Sequence, residues 1–323
     1  MANGYLLDIA RQYIKCNEGL SKTAISRLMA KDYPELFSTS EHARNAVRSV
    51  TGSRGKQDRE RIKNQVEFKL PEPDLPNTEA YVLPKNIERL GLISDIHIPY
   101  HCTASVTAAV SYFKAENIQA LLINGDLMDI YMWSKHQKDR RKRDMGGEIR
   151  MTREFLFWLR QELPDTIIYF KWGNHDLRWN KYLSECDPAL LEIDDFQLST
   201  VLRFGELKII DTQTHGPIMA GKLPIFHGHE LGMTSGGVNP ARSLALKTNV
   251  HGLTSHFHKT SSHAEPHYRG GHKITYSIGC LCNLYPEYMQ VNKWNNGFAD
   301  VTIQPNGDFS VKNLRVQGGV IYE

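Results

Sequence analysis

The spacing of hydrophobic positions changes near residue 87, and this change divides the chain into two parts. Before it, apolar residues recur at helical spacing over residues 4–16, in a segment that Ser21 can cap, and in a segment that Thr39 or Ser40 can cap. After it, short apolar runs alternate with helical patterns. The pattern predicts a small all-α domain over 1–51, a charged, proline-containing linker over 52–86, and an α/β domain over 87–323.

In the second part, strands are predicted wherever a short apolar run ends at polar residues. They cover residues 90–94, 120–124, 166–172, 207–211, 223–226, 250–254 and 273–278. Helices are predicted near 103–116 and 147–162, and a C-terminal hairpin joins 299–304 to 309–316. Such alternation is typical of an α/β fold.

Composition limits the class of protein. The 323 residues are 41% hydrophobic, enough for one large domain and a small one. No run is long and uncharged enough to cross a bilayer, the N-terminus lacks a signal-peptide pattern, and the five cysteines are an odd number. We expect a cytoplasmic protein with no membrane partner and no disulfide framework, in which Cys280 and Cys282 pack at a strand end.

Charge is uneven along the chain. Residues 1–65 hold twelve Lys/Arg against seven Asp/Glu, which is +5 of a net charge of +3, so the remainder carries −2. Arg44 and Arg48 lie four residues apart on the third predicted helix. Three short helices with a basic face are similar to a helix-turn-helix module that binds DNA, and they are equally typical of a scaffold for protein contacts.

Metal-binding side chains occur in five short segments, four of which follow an apolar run. The segments are Asp95-Ile96-His97, Gly125-Asp126, Gly173-Asn174-His175-Asp176, His227-Gly228-His229 and Ser255-His256-Phe257-His258. Carboxylate, amide oxygen and imidazole groups are ligands for divalent ions such as Mn²⁺, Fe²⁺ and Zn²⁺. Asp95 and His97 are two residues apart, as are His256 and His258, so in an extended chain both members of a pair face one site.

In order and spacing, the five segments resemble the calcineurin-like metallophosphoesterase superfamily over roughly residues 88–280, with phage-encoded and bacterial members as the nearest type. The resemblance implies a four-layer αββα sandwich, in which helices flank two packed sheets. It also implies two divalent metal ions, with Mn²⁺ as the first expectation and Fe²⁺, Zn²⁺ or Ni²⁺ as alternatives.

The same resemblance implies a role for each site residue. The ligands are Asp95, His97 and His258 for one ion, Asn174, His227 and His256 for the other, and Asp126 bridging both. A hydroxide held between the ions would attack phosphorus. His175 is the expected general acid, and Asp129 is expected to orient it.

Two positions differ from the phosphoprotein phosphatases of this superfamily, which place arginines beside the second and third motifs. Here Ile130 and Trp172 stand at those positions, which favours a phosphodiester substrate. Arg178 and His229 are candidate substrate contacts, with a surface arginine and a structural turn histidine as the alternatives.

A basic run over 135–143 follows the second motif and carries six Lys/Arg against one Asp. Its residues Lys138, Arg140 and Arg141 are candidate contacts to a nucleic-acid backbone, although a solvated helix face is an equally simple interpretation. Tyr131 and Trp133 precede the run and either stack on bases or pack the loop down.

Our leading hypothesis is metal-dependent phosphodiester hydrolysis by a nuclease that acts on DNA or another nucleic acid. The alternatives are a phosphomonoesterase acting on a nucleotide or phosphoprotein, and a nucleic-acid-binding or assembly protein with a vestigial metal site. The complete ligand set argues against the last alternative, and the oligomeric state stays open.

Overall fold

The chain folds into two compact units, Met1–Asp74 and Leu75–Glu323. A computed structural model describes residues 2–52, 73, 78–134, 144–232, 237–266, 270–286 and 290–323. Within these ranges, every helix is too short or too polar to span a lipid bilayer.

The N-terminal unit contains three helices, α1 (Ala2–Cys16), α2 (Lys22–Asp32) and α3 (Ser40–Thr51). Ser21 caps α2 by accepting a hydrogen bond from the Ala24 backbone N–H, and Thr39 caps α3 in the same way through His42. The apolar faces of the helices enclose a small core around Met29. The predicted helices are therefore present, whereas a DNA-binding role for them stays a prediction.

The larger unit contains two β-sheets. Its strands are β1 (Tyr81–Val82), β2 (Arg89–Ile93), β3 (Ala120–Asn124), β4 (Ile167–Lys171), β5 (Ile209–Asp211), β6 (Ile218–Ala220), β7 (Leu223–Ile225), β8 (Gly252–Thr254), β9 (Ser261–Pro266), β10 (His272–Ser277), β11 (Asn296–Ile303), β12 (Phe309–Gln317) and β13 (Val320–Tyr322). Its helices are α4 (Thr103–Ala115), α5 (Met145–Glu162), α6 (Leu177–Cys186), α7 (Leu198–Val201), α8 (Phe204–Leu207) and α9 (Pro240–Thr248). The seven-stranded sheet has the order β13-β12-β11-β2-β3-β4-β5, and the six-stranded sheet has the order β1-β6-β7-β8-β10-β9.

The two sheets pack face to face through a common apolar core. Leu92 and Leu122 of the larger sheet share this core with Ile225 and Leu253 of the smaller one. Each such side chain contributes roughly 1.5–3 kcal/mol when it is fully buried. Helices α4 and α5 cover the other face of the larger sheet, and α9 packs on the smaller sheet, where its Leu244 contacts the backbone of β8. The predicted order of helix, sheet, sheet and helix is thus confirmed.

Strand direction places the loops that matter for function. β2, β3, β4 and β5 run parallel, so their carboxyl ends lie at one edge of the larger sheet. β7 and β8 are also parallel, which brings their carboxyl ends together in the smaller sheet. Ligand sites of open α/β sheets form at such edges.

Several elements differ from the sequence prediction. β1 lies inside the segment 52–86 that was predicted to be a linker, and the predicted strand 207–211 is shorter because residues up to Leu207 form α8. The sequence pattern did not indicate β6, β9, β13, α6 or α9. Strands of two or three residues are too short to show alternation, and β9 is an edge strand without buried residues.

Candidate metal centre

The predicted ligands lie in the loops that directly follow five strands. Asp95 is two residues beyond β2, Asp126 two beyond β3 and Asn174 three beyond β4; His227 and His256 are each two beyond β7 and β8. Because the carboxyl ends of parallel strands share an edge, these loops converge from both sheets. The structure therefore brings the predicted ligands together at the ends of these strands, and their contacts are described below.

Two histidines and one aspartate converge at one side of the site. Nε2 of His258 lies 3.1 Å from Oδ1 of Asp95 and 3.2 Å from Nε2 of His97. Nδ1 of His97 is 3.1 Å from Oδ1 of Asp129, so the carboxylate can accept the ring proton there. A proton fixed on Nδ1 leaves the lone pair on Nε2 of His97, where it could bind a metal ion.

A second group forms around Asp126. Asp95, Asp126, His227 and His256 each offer a ligand atom, and these atoms all lie within 4.8 Å of one another. Nε2 of His227 is 3.3 Å from Oδ2 of Asp126, while its Nδ1 lies 2.6 Å from the Asn124 carbonyl oxygen, to which it can donate. The ring of His227 is therefore oriented for Nε2 to bind a metal ion.

Asp126 belongs to both groups, since its Oδ2 also lies 3.8 Å from Nε2 of His97. This is the position that a bridging ligand would take. Asn174 stands between Gly173 and His175, both of which contact Asp126. The Oδ1 atom of Asn174 is buried and accepts no hydrogen bond from the described residues, so it is available as a metal ligand.

The electrostatics of the cluster favour a cation. Burial acts to raise the pKa of Asp126, but the attraction of His227 and neighbouring histidines outweighs it and holds the pKa well below its usual range. Burial acts to lower the pKa of His227, but Asp126 raises it to about 10. Ionised carboxylates that are shielded from water attract positive charge strongly. The oxygen and nitrogen donors thus fit the divalent ions that the sequence predicted.

The backbone at the ligands is left-handed rather than extended. The φ angles are positive at Asp95 (53°), His97 (50°), Asp126 (53°), His256 (67°) and His258 (55°). The expectation that each pair faces the site because its chain is extended is therefore wrong, although both members of each pair do face it. Asp and His tolerate this backbone region better than β-branched residues do.

Glycine allows two of these loops to touch. A Cβ atom at Gly125 would overlap with the His227 ring and lie 2.8 Å from the Cα of Gly173. A Cβ atom at Gly173 would overlap with the backbone nitrogen and the carboxylate of Asp126. The loops after β3 and β4 can approach this closely only because both positions lack a side chain.

His175, Asp129 and Arg178 form a connected group beside the ligands. Nδ1 of His175 lies 2.8 Å from the Asp129 carbonyl oxygen and 3.2 Å from its Oδ1. Arg178 donates to the same carbonyl oxygen from Nη1 at 2.8 Å, and its Nη2 is 3.0 Å from Nε2 of His175. Because arginine has no acceptor, Nε2 of His175 must accept here and the ring proton sits on Nδ1. Hydrogen bonds from His175 and His97 outweigh burial and lower the pKa of Asp129.

The remaining predicted residues have mixed outcomes. His229 opens a 3₁₀ turn with its Nδ1 3.3 Å from Glu230, and burial lowers the pKa of this histidine to about 4. Trp133 stacks on Tyr182 with ring centroids 3.9 Å apart, so at least this aromatic residue packs the loop down. The predicted substrate contacts Lys138, Arg140 and Arg141 lie outside the described residues.

Sequence reasoning gave Asp176 no role, although it belongs to the most specific motif. Asp176 is fully buried and accepts hydrogen bonds from the backbone N–H groups of Gly173 at 2.9 Å and Asp126 at 2.8 Å. It therefore ties the loop after β4 to the loop after β3. Its place directly after His175 was the available signal.

Sequence reasoning missed the contacts of two further residues that support the ligand loops. Glu230 accepts the N–H groups of His227 at 2.9 Å and Gly228 at 2.7 Å, and it pairs with the buried amine of Lys171 at 3.4 Å. Cys282 is buried as predicted. Its Sγ also lies 3.9 Å from Nδ1 of His258, which is the ring nitrogen opposite the one that faces Asp95 and His97.

Comparison with known proteins identifies the family of the chain. Residues 88–284 match the family model described as calcineurin-like phosphoesterase. The Gene 54 protein of Mycobacterium phage L5 is 28% identical over 231 residues, which cover 67% of this chain and 89% of that protein. The Gene 54 protein of Mycobacterium phage D29 is 25% identical over 234 residues, covering 68% and 90%.

Two solved structures are also similar. Wild-type Vps29 of Entamoeba histolytica, complexed with zinc, has a TM-score of 0.39 and 13% identity, covering 72% of this chain and 96% of that one. The nuclease MPE of Pseudomonas putida has a TM-score of 0.30 and 12% identity, covering 66% and 82%. On the family match, which spans more than half of its length, this chain belongs to the calcineurin-like phosphoesterase family and is a metal-dependent phosphoester hydrolase.

Proposed function

We propose that this protein hydrolyses phosphodiester bonds in DNA or another nucleic acid, with Mn²⁺ as the first metal to test. The observation that carries the proposal is the chemistry at two positions beside the ligands. Ile130 is buried and apolar, and Trp172 donates its indole N–H to Asp211 at 2.9 Å. Neither offers the guanidinium that would grip a dianionic monoester, whereas a diester carries one negative charge fewer.

The seven predicted ligands would hold the two ions, with Asp126 between them. Bound there, the ions would activate water as a nucleophile at neutral pH and offset the charge that develops on the phosphoryl oxygens. Asp129 would orient His97 toward an ion through Nδ1, and Asn124 would do the same for His227.

The groups of the chain itself would handle the leaving oxygen. Asp129 holds Nδ1 of His175, which directs Nε2 of this ring toward Arg178. If the substrate phosphate draws the Arg178 guanidinium away, Nε2 is free to take up a proton from water and to donate it to the departing alkoxide. Arg178 would thus exchange a histidine nitrogen for a phosphate oxygen.

The N-terminal unit would position the nucleic acid. Arg44 and Arg48 each pair with Glu41 at 3.4 Å, and all three side chains are exposed. Such exposed pairs contribute about 0–1 kcal/mol, so a phosphate backbone can readily compete for the arginines. The basic run 135–143 would add further phosphate contacts.

The test is a rate assay with Mn²⁺ on bis-p-nitrophenyl phosphate, p-nitrophenyl phosphate, and labelled single- and double-stranded DNA. Diester and DNA cleavage that disappear in Asp126→Asn would support the proposal. Hydrolysis of the monoester alone would refute it and favour a phosphomonoesterase. A protein that binds no divalent ion on titration would favour a vestigial site.

A deletion of residues 1–65 tests the N-terminal unit separately. We expect weaker DNA binding and a flatter dependence on salt concentration, with hydrolysis of bis-p-nitrophenyl phosphate retained, because fewer phosphates are neutralised. DNA affinity equal to that of the full chain would argue against a DNA-binding role for this unit.

A further inference from the structure

An open pocket lies at the start of α5, next to residues that follow two segments of the metal centre along the chain. It has a volume of about 420 Å³, within the range of small-ligand sites, and its lining includes Pro99, Tyr100, Tyr131, Glu148, Met151 and Glu154. Pro99 and Tyr100 follow the predicted ligand His97 along the chain, and Tyr131 comes two residues after Asp129. Two segments that line the pocket are therefore continuous in the chain with residues of the metal centre.

A buried carboxyl group connects the wall of the pocket to the loop after β3, which carries Asp129 and Ile130. Glu148 is only 6% exposed and accepts a hydrogen bond from the backbone N–H of Ile130. Ile130 is the neighbour of Asp129, which contacts both His97 and His175. The pocket wall is consequently tied to the segment that carries Asp129, the residue that would orient His97 and His175.

The walls suit a flat ring. The rings of Tyr100 and Tyr131 meet edge to face with centroids 6.4 Å apart, and both residues are half-buried. Met151 is 39% exposed and adds a polarisable thioether beside them. Aromatic and thioether surfaces of this kind stack on nucleobases and tolerate different bases.

The charge of the described lining favours a group other than a second phosphate. Asp144 and Glu154 face one cation, Arg150, whose Nη2 lies 3.9 Å from Oδ2 of Asp144. Burial raises the pKa of Glu148 to about 8, so this carboxyl is neutral at pH 7. The lining then has one negative charge in excess, and its exposed carboxylates accept hydrogen bonds from N–H donors. A nucleobase combines a flat face with such donors, and guanine presents two of them on one edge.

Building on the phosphodiesterase function proposed above, we propose that this pocket binds the nucleobase next to the scissile phosphate. The ring would stack against Tyr131 and Met151, and its N–H edge would face Glu154. Guanine is the base that fits best, because its two adjacent donors can bond both oxygens of one carboxylate.

Two esters with the same leaving group test this assignment. We would compare kcat/KM for the p-nitrophenyl ester of guanosine 5′-phosphate with kcat/KM for methyl p-nitrophenyl phosphate, which has no base. The expected ratio is on the order of tenfold or more, which a single stacked base can supply. Tyr131→Ala and Glu154→Gln should each bring the ratio toward one. Glu154 is exposed on α5, so its substitution does not threaten folding.

Matched variants elsewhere serve as controls. Tyr322→Ala on β13 and Glu192→Gln on an exposed turn should keep the wild-type ratio. A ratio near one in the wild-type protein, or a ratio that neither pocket variant changes, would overturn the pocket assignment while hydrolysis itself remains.

Equilibrium dialysis of guanosine against the protein in EDTA tests the pocket without hydrolysis. If neither ester is cleaved, guanosine binding that Glu154→Gln weakens supports the assignment, and the absence of guanosine binding refutes it. A competition experiment against bound guanosine then shows whether the pocket takes its base from a nucleic acid or from a free nucleotide. A guanine-containing oligonucleotide that competes better than guanosine monophosphate indicates a nucleic acid, and equal competition indicates a free nucleotide.

Discussion

Replacing Glu148 with glutamine should change how the stability of the larger unit depends on pH. Burial, with a contribution from Asp129, raises the pKa of this carboxyl from 4.5 to about 8. The folded state therefore keeps a proton that the unfolded state has already lost. The stabilisation associated with the neutral carboxyl is complete below the unfolded pKa of 4.5 and is lost as the pH rises toward 8.

The magnitude follows from the difference between the two pKa values, about 3.5 pH units. At about 1.4 kcal/mol for each unit, the full shift corresponds to about 5 kcal/mol, of which the wild-type protein should lose about 4 kcal/mol of unfolding free energy relative to Glu148→Gln between pH 4.5 and pH 8. Glu148 is almost fully buried, so solvent screening does not reduce this figure. Glutamine has a similar shape and no proton to lose, which makes the variant the reference.

The assay is urea unfolding of both proteins in EDTA at several pH values, followed by tryptophan fluorescence. All five tryptophans lie in the larger unit, so the signal reports on that unit alone. The difference between the two proteins isolates Glu148 from the other titrating groups. If the unfolding free energies of the wild-type protein and of Glu148→Gln change with pH in the same way across this range, the assignment of a neutral, buried carboxyl is refuted.

Three other predictions concern the metal centre. His175→Ala should lower the rate about 10²–10⁴-fold on diesters with alkyl leaving groups and far less on p-nitrophenyl esters, and an equal loss on both would contradict a general acid. Lys171→Met should destabilise the protein by about 3–5 kcal/mol in urea, because Glu230 is left without its buried partner; adding Glu230→Gln should recover much of the loss. EDTA should lower the melting temperature of the wild-type protein and leave that of Asp126→Asn nearly unchanged, as expected for ions that bind only the folded state.

The part of the site that the sequence predicted well is the part that local chemistry encodes. Apolar runs such as 120–124 are buried on both faces, and the polar residue that follows marks the edge where ligands collect. Asp126 and His227 could be placed this way without knowing the path of the chain between them. Ligand type and strand position are both determined by local sequence, so they can be predicted from a single sequence.

The supports of the site depend on folding and could not be predicted in the same way. Lys171 and Glu230 are 59 positions apart, and only the packing of the two sheets brings the amine to the carboxylate that holds the His227 loop. The left-handed backbone at Asp95 is likewise set by hydrogen bonds such as that from its N–H to the Gly125 carbonyl oxygen. Intrinsic preference alone favours an extended chain there, which is why the extended expectation was wrong.

The contact between Gly125 and Gly173 has a consequence for recognising inactive relatives. A chain could retain all seven predicted ligands and still lose the centre through one methyl group at position 173, because the added carbon would displace the backbone of Asp126. If relatives were judged by their metal ligands alone, such a protein would be classified as active. Gly125 and Gly173 bind no metal, yet a substitution at either position would be the better sign that a relative is inactive. The absence of a side chain at these two positions sets how closely the ligand loops can approach each other.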